Sequence, residues 1–179
     1  MDIKALAEKY DSYVIDRRRF YHTCPELSWE EKETIGLIKA DLEAMGITDI
    51  HMCQNCYGLW ADIHGAKPGK AVALRADIDG LPVKEATGLP FASKIEGHMH
   101  ACGHDNHIAM LLGAAKMLME TKDELQGNVK LIFQAAEETC HGAEYYVDAG
   151  ILDGVDAIIG QHVWAPLDEP YINFQPGPR

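Results

Sequence analysis

Residues 98–107 read His-Met-His-Ala-Cys-Gly-His-Asp-Asn-His and come directly before a strongly apolar run, residues 108–118. This short stretch holds four of the chain's nine histidines and one of its five cysteines. Imidazole and thiolate are ligands for borderline-soft ions such as zinc and cobalt, and Cys102-Gly103-His104 brings one of each onto a tight turn. The alternative is a surface loop that binds nothing, but the density of histidines favours a metal site.

The apolar run itself predicts a helix, with Asp105 or Asn106 as its N-cap. Cys102 is then expected near the positive end of the helix dipole. That position lowers the pKa of a thiol and favours the metal-binding thiolate.

Polar residues follow three further apolar runs: 71–76 is followed by Asp77 and Asp79, 129–134 by Glu137 and Glu138, and 157–160 by His162. Each run predicts a buried strand of an α/β sheet. Ligands of such sheets bind outside the carboxyl ends of the strands. We therefore expect these side chains and the Cys102–His104 turn to converge on one crevice.

Each of these residues also has an ordinary structural explanation. Glu137 and Glu138 can open a helix, where acidic side chains suit the dipole. His162 can be a hydrogen-bonded core histidine, and Asp77 and Asp79 can be turn residues. Their joint placement at strand ends favours the functional interpretation.

The rest of the chain is predicted to contain two amphipathic helices, two short strands and two loops. The helices are expected near residues 3–21 and 30–45, the strands near 50–52 and 59–63, and the loops at 65–70 and 82–98. The 179 residues suffice for one domain with a hydrophobic core.

Composition and charge exclude some classes of partner. A net charge of −12 argues against nucleic acid or an anionic membrane surface, since both require a basic face. No apolar span reaches transmembrane length, and residues 1–4 begin an amphipathic helix rather than a signal peptide. Five cysteines at irregular positions suit reduced thiols. We expect a cytoplasmic protein.

Several blocks of sequence resemble, in order, the signatures of one family of metal-dependent amidohydrolases, which includes aminoacylase, hippurate hydrolase and auxin-conjugate hydrolase. The blocks are Leu-Arg-Ala-Asp-Ile-Asp-Gly-Leu-Pro at 74–82, His-Ala-Cys-Gly-His-Asp at 100–105, Phe-Gln-Ala-Ala-Glu-Glu at 133–138 and Gln-His-Val-Trp at 161–164. Residues 18–28, Arg-Arg-Phe-Tyr-His-Thr-Cys-Pro-Glu-Leu-Ser, resemble the entry segment of the same family. The resemblance extends over nearly the whole chain.

The resemblance implies an α/β fold, a three-layer sandwich with a mostly parallel mixed sheet like that of zinc aminopeptidases. It implies a site for two divalent ions, zinc, manganese or cobalt. The implied ligands are Cys102, His104, Glu138 and His162. Glu137 is the implied general base, and Asp79 is a candidate for orienting a metal-bound histidine.

The implied reaction is metal-dependent hydrolysis of the amide bond of an N-acyl amino acid, by a water that the metal activates. A dipeptidase or carboxypeptidase of the same clan is the alternative within hydrolases, with a dipeptide as substrate. A catalytically silent metal-binding fragment is the alternative from another class. The sequence leaves the acyl group, the amino acid and the native metal open.

The chain departs from the family pattern at two places. Thr139 stands where the family usually has glycine after the glutamate pair. Residues 174–179, Phe-Gln-Pro-Gly-Pro-Arg, resemble the lead into a small dimerisation domain, after which the catalytic domain resumes and adds a last histidine ligand. We expect residues 1–179 to be the N-terminal part of the catalytic domain, with both later parts absent, and the full-length enzyme to be a homo-oligomer.

Overall fold

The computed structural model describes residues 2–168 and 171–173. Within them the elements are α1 (Ile3–His22), α2 (Lys32–Ala44), β1 (Ile50–Met52), β2 (Leu59–His64), β3 (Lys67–Asp77), α3 (His104–Glu120), β4 (Gln126–Gln134), α4 (Gly142–Asp148) and β5 (Ala157–Gly160). In this part of the chain no helix combines the length and apolar character needed to cross a membrane. The motif at 174–179 lies outside the described residues.

The strands form one mixed sheet in the order β1-β2-β4-β3-β5. β3 pairs in parallel with both β4 and β5. β2 is antiparallel to both of its neighbours, β1 and β4. The other four strands described therefore run in one direction, and the predicted α/β class with a mostly parallel mixed sheet is confirmed.

Helices cover both faces of the sheet. Residues of α1, α2 and α3 pack on one face, against Leu59, Leu131 and Phe133. On the other face, Tyr146 of α4 and Ile151 pack against Ile132 and Ala73. The alternation of inward side chains along β2 and β4 thus supplies two cores, one for each face, and the result is three layers.

Three local predictions were wrong. The run 157–160 is a strand, but all four residues of β5 are exposed because β5 lies at the edge of the sheet and pairs only with β3 among the described strands. The predicted loop 65–70 contains the start of β3 at Lys67, followed by an irregularity in the β3–β4 register before Ala71. The helix α3 begins at His104 with Gly103 as N-cap, so neither Asp105 nor Asn106 caps it.

Candidate metal centre

The Cys102–His104 turn is built around a glycine. Gly103 has a φ of 88°, in the left-handed region, and a Cβ at this position would lie 2.4 Å from Cγ2 of Val163. Only glycine meets both demands, so the residue type fixes the turn. The turn brings Cys102 Sγ within 3.4 Å of Nε2 of His162, which follows β5.

His104, the first residue of α3, is fully buried, and its two ring nitrogens have different surroundings. Nδ1 lies 3.1 Å from Oδ1 of Asp79. Nε2 is buried without a hydrogen-bond partner. Oxygens of Glu137, Glu138 and Asp77 each lie 3.7 Å from Nε2, beyond hydrogen-bonding distance. Histidines that bind a metal typically have one ring nitrogen hydrogen-bonded to a carboxylate and the other nitrogen free for the ion, and His104 has this arrangement.

The two glutamates lie in a turn rather than in a helix. Residues 137–140 form the turn, and α4 starts only at Gly142, so the helix-opening alternative does not hold. Ala136, with a φ of 54°, introduces the turn, and its N–H donates to Oε1 of the buried Glu31 at 2.7 Å. The N–H of Glu138 donates to Oδ2 of Asp79 at 3.0 Å. Backbone bonds at both ends thus define where the glutamate side chains begin.

A hydrogen-bonded chain holds the segment that carries His162. The N–H of Val163 donates to Nε2 of His107 at 3.0 Å, so the proton of His107 is on Nδ1, which donates to Oδ1 of Asp77. The other oxygen of Asp77 accepts from Arg75 at 2.6 Å. His162 itself is exposed, so it is not a core histidine.

These positions form two overlapping groups of donor atoms. Cys102, His104 and His162 offer ligand atoms that all lie within 4.8 Å of one another, and so do His104, Glu137 and Glu138. Oε1 of Glu138 is a second buried atom without a partner, beside Nε2 of His104. Thiolate, imidazole and carboxylate suit zinc and similar divalent ions. The donor set and its unpartnered atoms therefore fit a metal centre, and His104 is common to both groups.

The charges of the site follow from its carboxylates. Burial, with Glu138 and Glu137 nearby, raises the pKa of Cys102 to about 12. The expected lowering by the helix dipole is wrong, because burial and then the negative side chains outweigh it when no cation is present. Burial alone would lower the pKa of His104, but the hydrogen bond to Asp79 and the charge of Asp77 raise it above its usual value.

The buried aspartates are held in the ionised form. Burial opposes ionisation of Asp79, but the hydrogen bonds from His104, the Glu138 N–H and Ser28 outweigh it and lower its pKa. Burial also opposes ionisation of Asp77, and His107, His104 and Arg75 outweigh it in the same way. The centre therefore contains two buried, ionised carboxylates, which favour a cation beside them.

Sequence reasoning gave no role to two residues that shape this site, His107 and Glu31. Asp77 was expected at the crevice with the other strand-end residues, but its bond to His107 was not predicted. The spacing of His104 and His107, i and i+3 on one helix, places both rings on one side of α3 and was the available signal for His107. Glu31 gave no signal, because its contact with Ala136 joins residues 105 positions apart.

Comparison with known proteins relates the chain to one family of hydrolases. A model described as peptidase family M20/M25/M40 matches residues 73–177. An N-acyl-L-amino acid amidohydrolase of Geobacillus stearothermophilus is 42% identical over 178 residues, 99% of this chain and 48% of the relative. Thermostable carboxypeptidase 1 of Saccharolobus solfataricus is 41% identical over 178 residues, 98% of this chain and 45% of the relative.

A solved structure has the same fold. It is the structure of a dinuclear metal binding peptidase of the M20 family from Bacillus subtilis, with 46% identity and a TM-score of 0.82 over 87% of this chain and 44% of that one. The chain thus spans about half the length of the proteins it matches.

Proposed function

This chain belongs to peptidase family M20/M25/M40, and we propose that it carries the metal-binding and proton-transfer residues of an N-acyl amino acid amidohydrolase. One observation carries the proposal: Nε2 of His104 is buried without a partner and faces cysteine, histidine and glutamate donors. Binding of a divalent ion explains why a folded protein tolerates a buried polar atom without a hydrogen-bond partner.

We assign Cys102, His104, Glu138 and His162 as the ligands of two divalent ions. Both donor groups include His104, whose free Nε2 can bind one ion, and Oε1 of Glu138 beside it is a buried carboxylate atom without a hydrogen-bond partner. When bound, such ions polarise an amide carbonyl and lower the pKa of water toward neutrality. Zinc, manganese and cobalt all accept this donor set.

Glu137 is assigned to proton transfer. Its side chain is 36% exposed, against 21% for Glu138, so it can reach both the hydrolytic water and the substrate. A carboxylate oxygen of Glu137 takes a proton from the water as the water oxygen attacks the amide carbon. Glu137 then returns this proton to the leaving nitrogen as the C–N bond breaks. Asp79 orients His104 through Nδ1 and holds the backbone of Glu138.

The substrate is proposed to be an N-acyl amino acid, because the amidohydrolase relative is 42% identical over 99% of this chain. Dipeptide or carboxypeptidase activity is the second candidate, favoured by the carboxypeptidase relative at 41% identity. The free cysteines, all five within the described residues, support a reducing compartment and hence the cytoplasm.

We further propose that residues 1–179 supply the N-terminal part of a catalytic domain whose remaining part completes the ligand set, in an enzyme that is a homo-oligomer. The proposal rests on the resemblance and on the coverage, since the chain matches only 48% and 45% of the two relatives. Alone, the chain is then expected to bind metal weakly and to hydrolyse little substrate, because an open site lacks the excluded-water environment that catalysis needs.

The test combines metal binding and turnover. Isolated chain is titrated with zinc, cobalt and manganese, and N-acetyl and N-benzoyl amino acids are compared with unblocked dipeptides as substrates. Zinc binding that Cys102→Ser weakens, with a preference for N-acyl substrates in the enzyme that contains this chain, supports the proposal. Absence of saturable binding, or a preference for dipeptides, contradicts it. If the isolated chain hydrolyses substrate at the rate of an intact relative, the proposal that residues 1–179 form only part of the catalytic domain is wrong.

A further inference from the structure

A second group of metal-ligating side chains lies on the β1–β2 hairpin, and none of its members belongs to the candidate metal centre. Asp49 directly precedes β1 and His51 lies within it, while Asp62 lies opposite Asp49 on β2. Ligand atoms of these three residues all lie within 4.8 Å of one another. The centre described above follows the ends of β3, β4 and β5, whereas this group lies at the β1 edge of the sheet.

Each of the three side chains is held in place by a neighbour. Oδ2 of Asp49 lies 2.7 Å from Nε2 of His64, which leaves Oδ1 facing Nε2 of His51 at 2.9 Å. Oδ2 of Asp62 accepts from Lys130 at 2.8 Å, which leaves its other oxygen available. The ring of His51 stacks on Trp60, with centroids 5.3 Å apart and planes 16° apart. Orientation of ligands by such outer contacts is typical of metal sites.

We propose that Asp49, His51 and Asp62 form a peripheral zinc site on the β1–β2 hairpin. One imidazole nitrogen and two carboxylate oxygens are ligands that zinc accepts, and water completes the coordination at this exposed position. His64 and Lys130 act on the site only through the carboxylates they hold.

Charge and geometry both allow the ion. The carboxylates of Asp49 and Asp62 carry two negative charges and Lys130 one positive charge, so these three side chains leave a net charge of −1 for the cation to neutralise. Nitrogen and oxygen ligands of tetrahedral zinc lie about 3.3 Å apart. The His51–Asp49 pair, at 2.9 Å, therefore has to open by only a few tenths of an ångström. Both side chains are close to half exposed, so this small shift does not require buried groups to move.

The experiment reads the two sites separately. The chain is labelled with ¹⁵N-histidine, and long-range ¹H–¹⁵N spectra of the rings are recorded as zinc chloride is added. We expect Nε2 of His51 to shift in a saturable manner, and His51→Ala to bind one equivalent of zinc fewer in equilibrium dialysis. Asp49→Asn, which keeps the size of the side chain, is expected to weaken binding at His51 by more than about tenfold.

His141→Ala is the matched control, because His141 is an exposed histidine that faces a single carboxylate, Glu144, at 3.5 Å. This variant is expected to bind as much zinc as the wild type. An unmoved His51 ring, or equal zinc binding by the His51 and His141 variants, overturns the proposal. Metal binding at the candidate metal centre is followed through the ring signals of His104 and His162 instead. If zinc does not bind at that centre, the result at His51 is unaffected.

Discussion

Asp79 holds His104 from the side opposite the proposed metal. Its Oδ1 lies 3.1 Å from Nδ1 of His104, while its Oδ2 accepts from the N–H of Glu138 and from the hydroxyl of Ser28 at 2.7 Å. One buried carboxylate therefore orients a proposed ligand and the backbone of another. This pairing connects the end of β3 with the start of α3 and the turn after β4.

Asp79→Asn is expected to weaken metal binding by about 10- to 100-fold, the usual cost of losing a carboxylate behind a metal-ligating histidine. Asparagine keeps the size of the side chain but has only one acceptor oxygen, so it cannot accept from Nδ1 of His104 at one end and from the Glu138 N–H and Ser28 at the other. Competition between the protein and a chelating dye for zinc measures the change. Ser28→Ala removes one hydrogen bond to Asp79 and none to His104, so it should leave the affinity within a few-fold of wild type. Equal losses in the two variants would show that Asp79 acts through Ser28.

Substitution of the two adjacent glutamates is expected to separate proton transfer from metal binding. In the proposed full-length amidohydrolase, Glu137→Gln should reduce turnover by about 10²- to 10⁴-fold, the range of general-base contributions, with metal content near wild type. Glu138→Gln should reduce metal content as well, because it replaces the buried oxygen that has no other partner. Initial rates and elemental analysis of the same preparations provide both readouts. If Glu137→Gln lowered metal content and Glu138→Gln did not, Glu137 would be the ligand and Glu138 the base.

Glu31 makes stability depend on pH near neutrality. Burial raises its pKa from the ordinary 4.5 to about 7, although its Oε1 accepts the Ala136 N–H. Between these values the unfolded chain ionises and the folded chain does not, so the stability that neutral Glu31 provides is complete below pH 4.5 and is lost as the pH rises through 7.

Glu31→Gln cannot ionise and keeps an acceptor for Ala136. Relative to wild type, its free energy of unfolding is therefore expected to rise by about 3 kcal/mol across this window. Urea unfolding of metal-free protein on both sides of the window measures the difference. Glu30→Gln changes an exposed neighbour and serves as control, since it should show no such trend. A Glu31 variant that follows the wild type at every pH would show that Glu31 titrates normally.

The sequence was sufficient for those parts of the site that depend on local order. Cys102 and His104 lie on one turn, and the polar residues after β3, β4 and β5 meet because parallel strands end at the same edge of a sheet. The helices and strands with clear hydrophobic periodicity were also predicted, because that periodicity depends only on residues close together in the sequence.

Contacts between distant residues were not predictable in this way. The bonds from Glu31 to Ala136 and from His107 to Val163 depend on how α2 and α3 pack against the sheet. The burial expected for residues 157–160 was wrong because hydrophobicity alone does not distinguish a central strand from an edge strand. The cap of α3 was wrong because Asp105 is buried in an ion pair with Arg18, at 2.8 Å, instead of turning toward the helix end.

The exposed edge strand β5 is expected to cause self-association of the isolated chain. Ile158 and Ile159 are 51% and 57% exposed, and Trp164 beyond the strand is 66% exposed. An apolar edge with unpaired backbone groups is a template for pairing with another chain. Ile158→Lys places a charge on that edge and should shift the chain toward monomer in sedimentation velocity over a range of concentrations. Val147→Lys introduces the same charge at a similarly exposed apolar residue of α4, 59% exposed, and should leave association unchanged. If both variants dissociate equally, general surface charge rather than the β5 edge controls association.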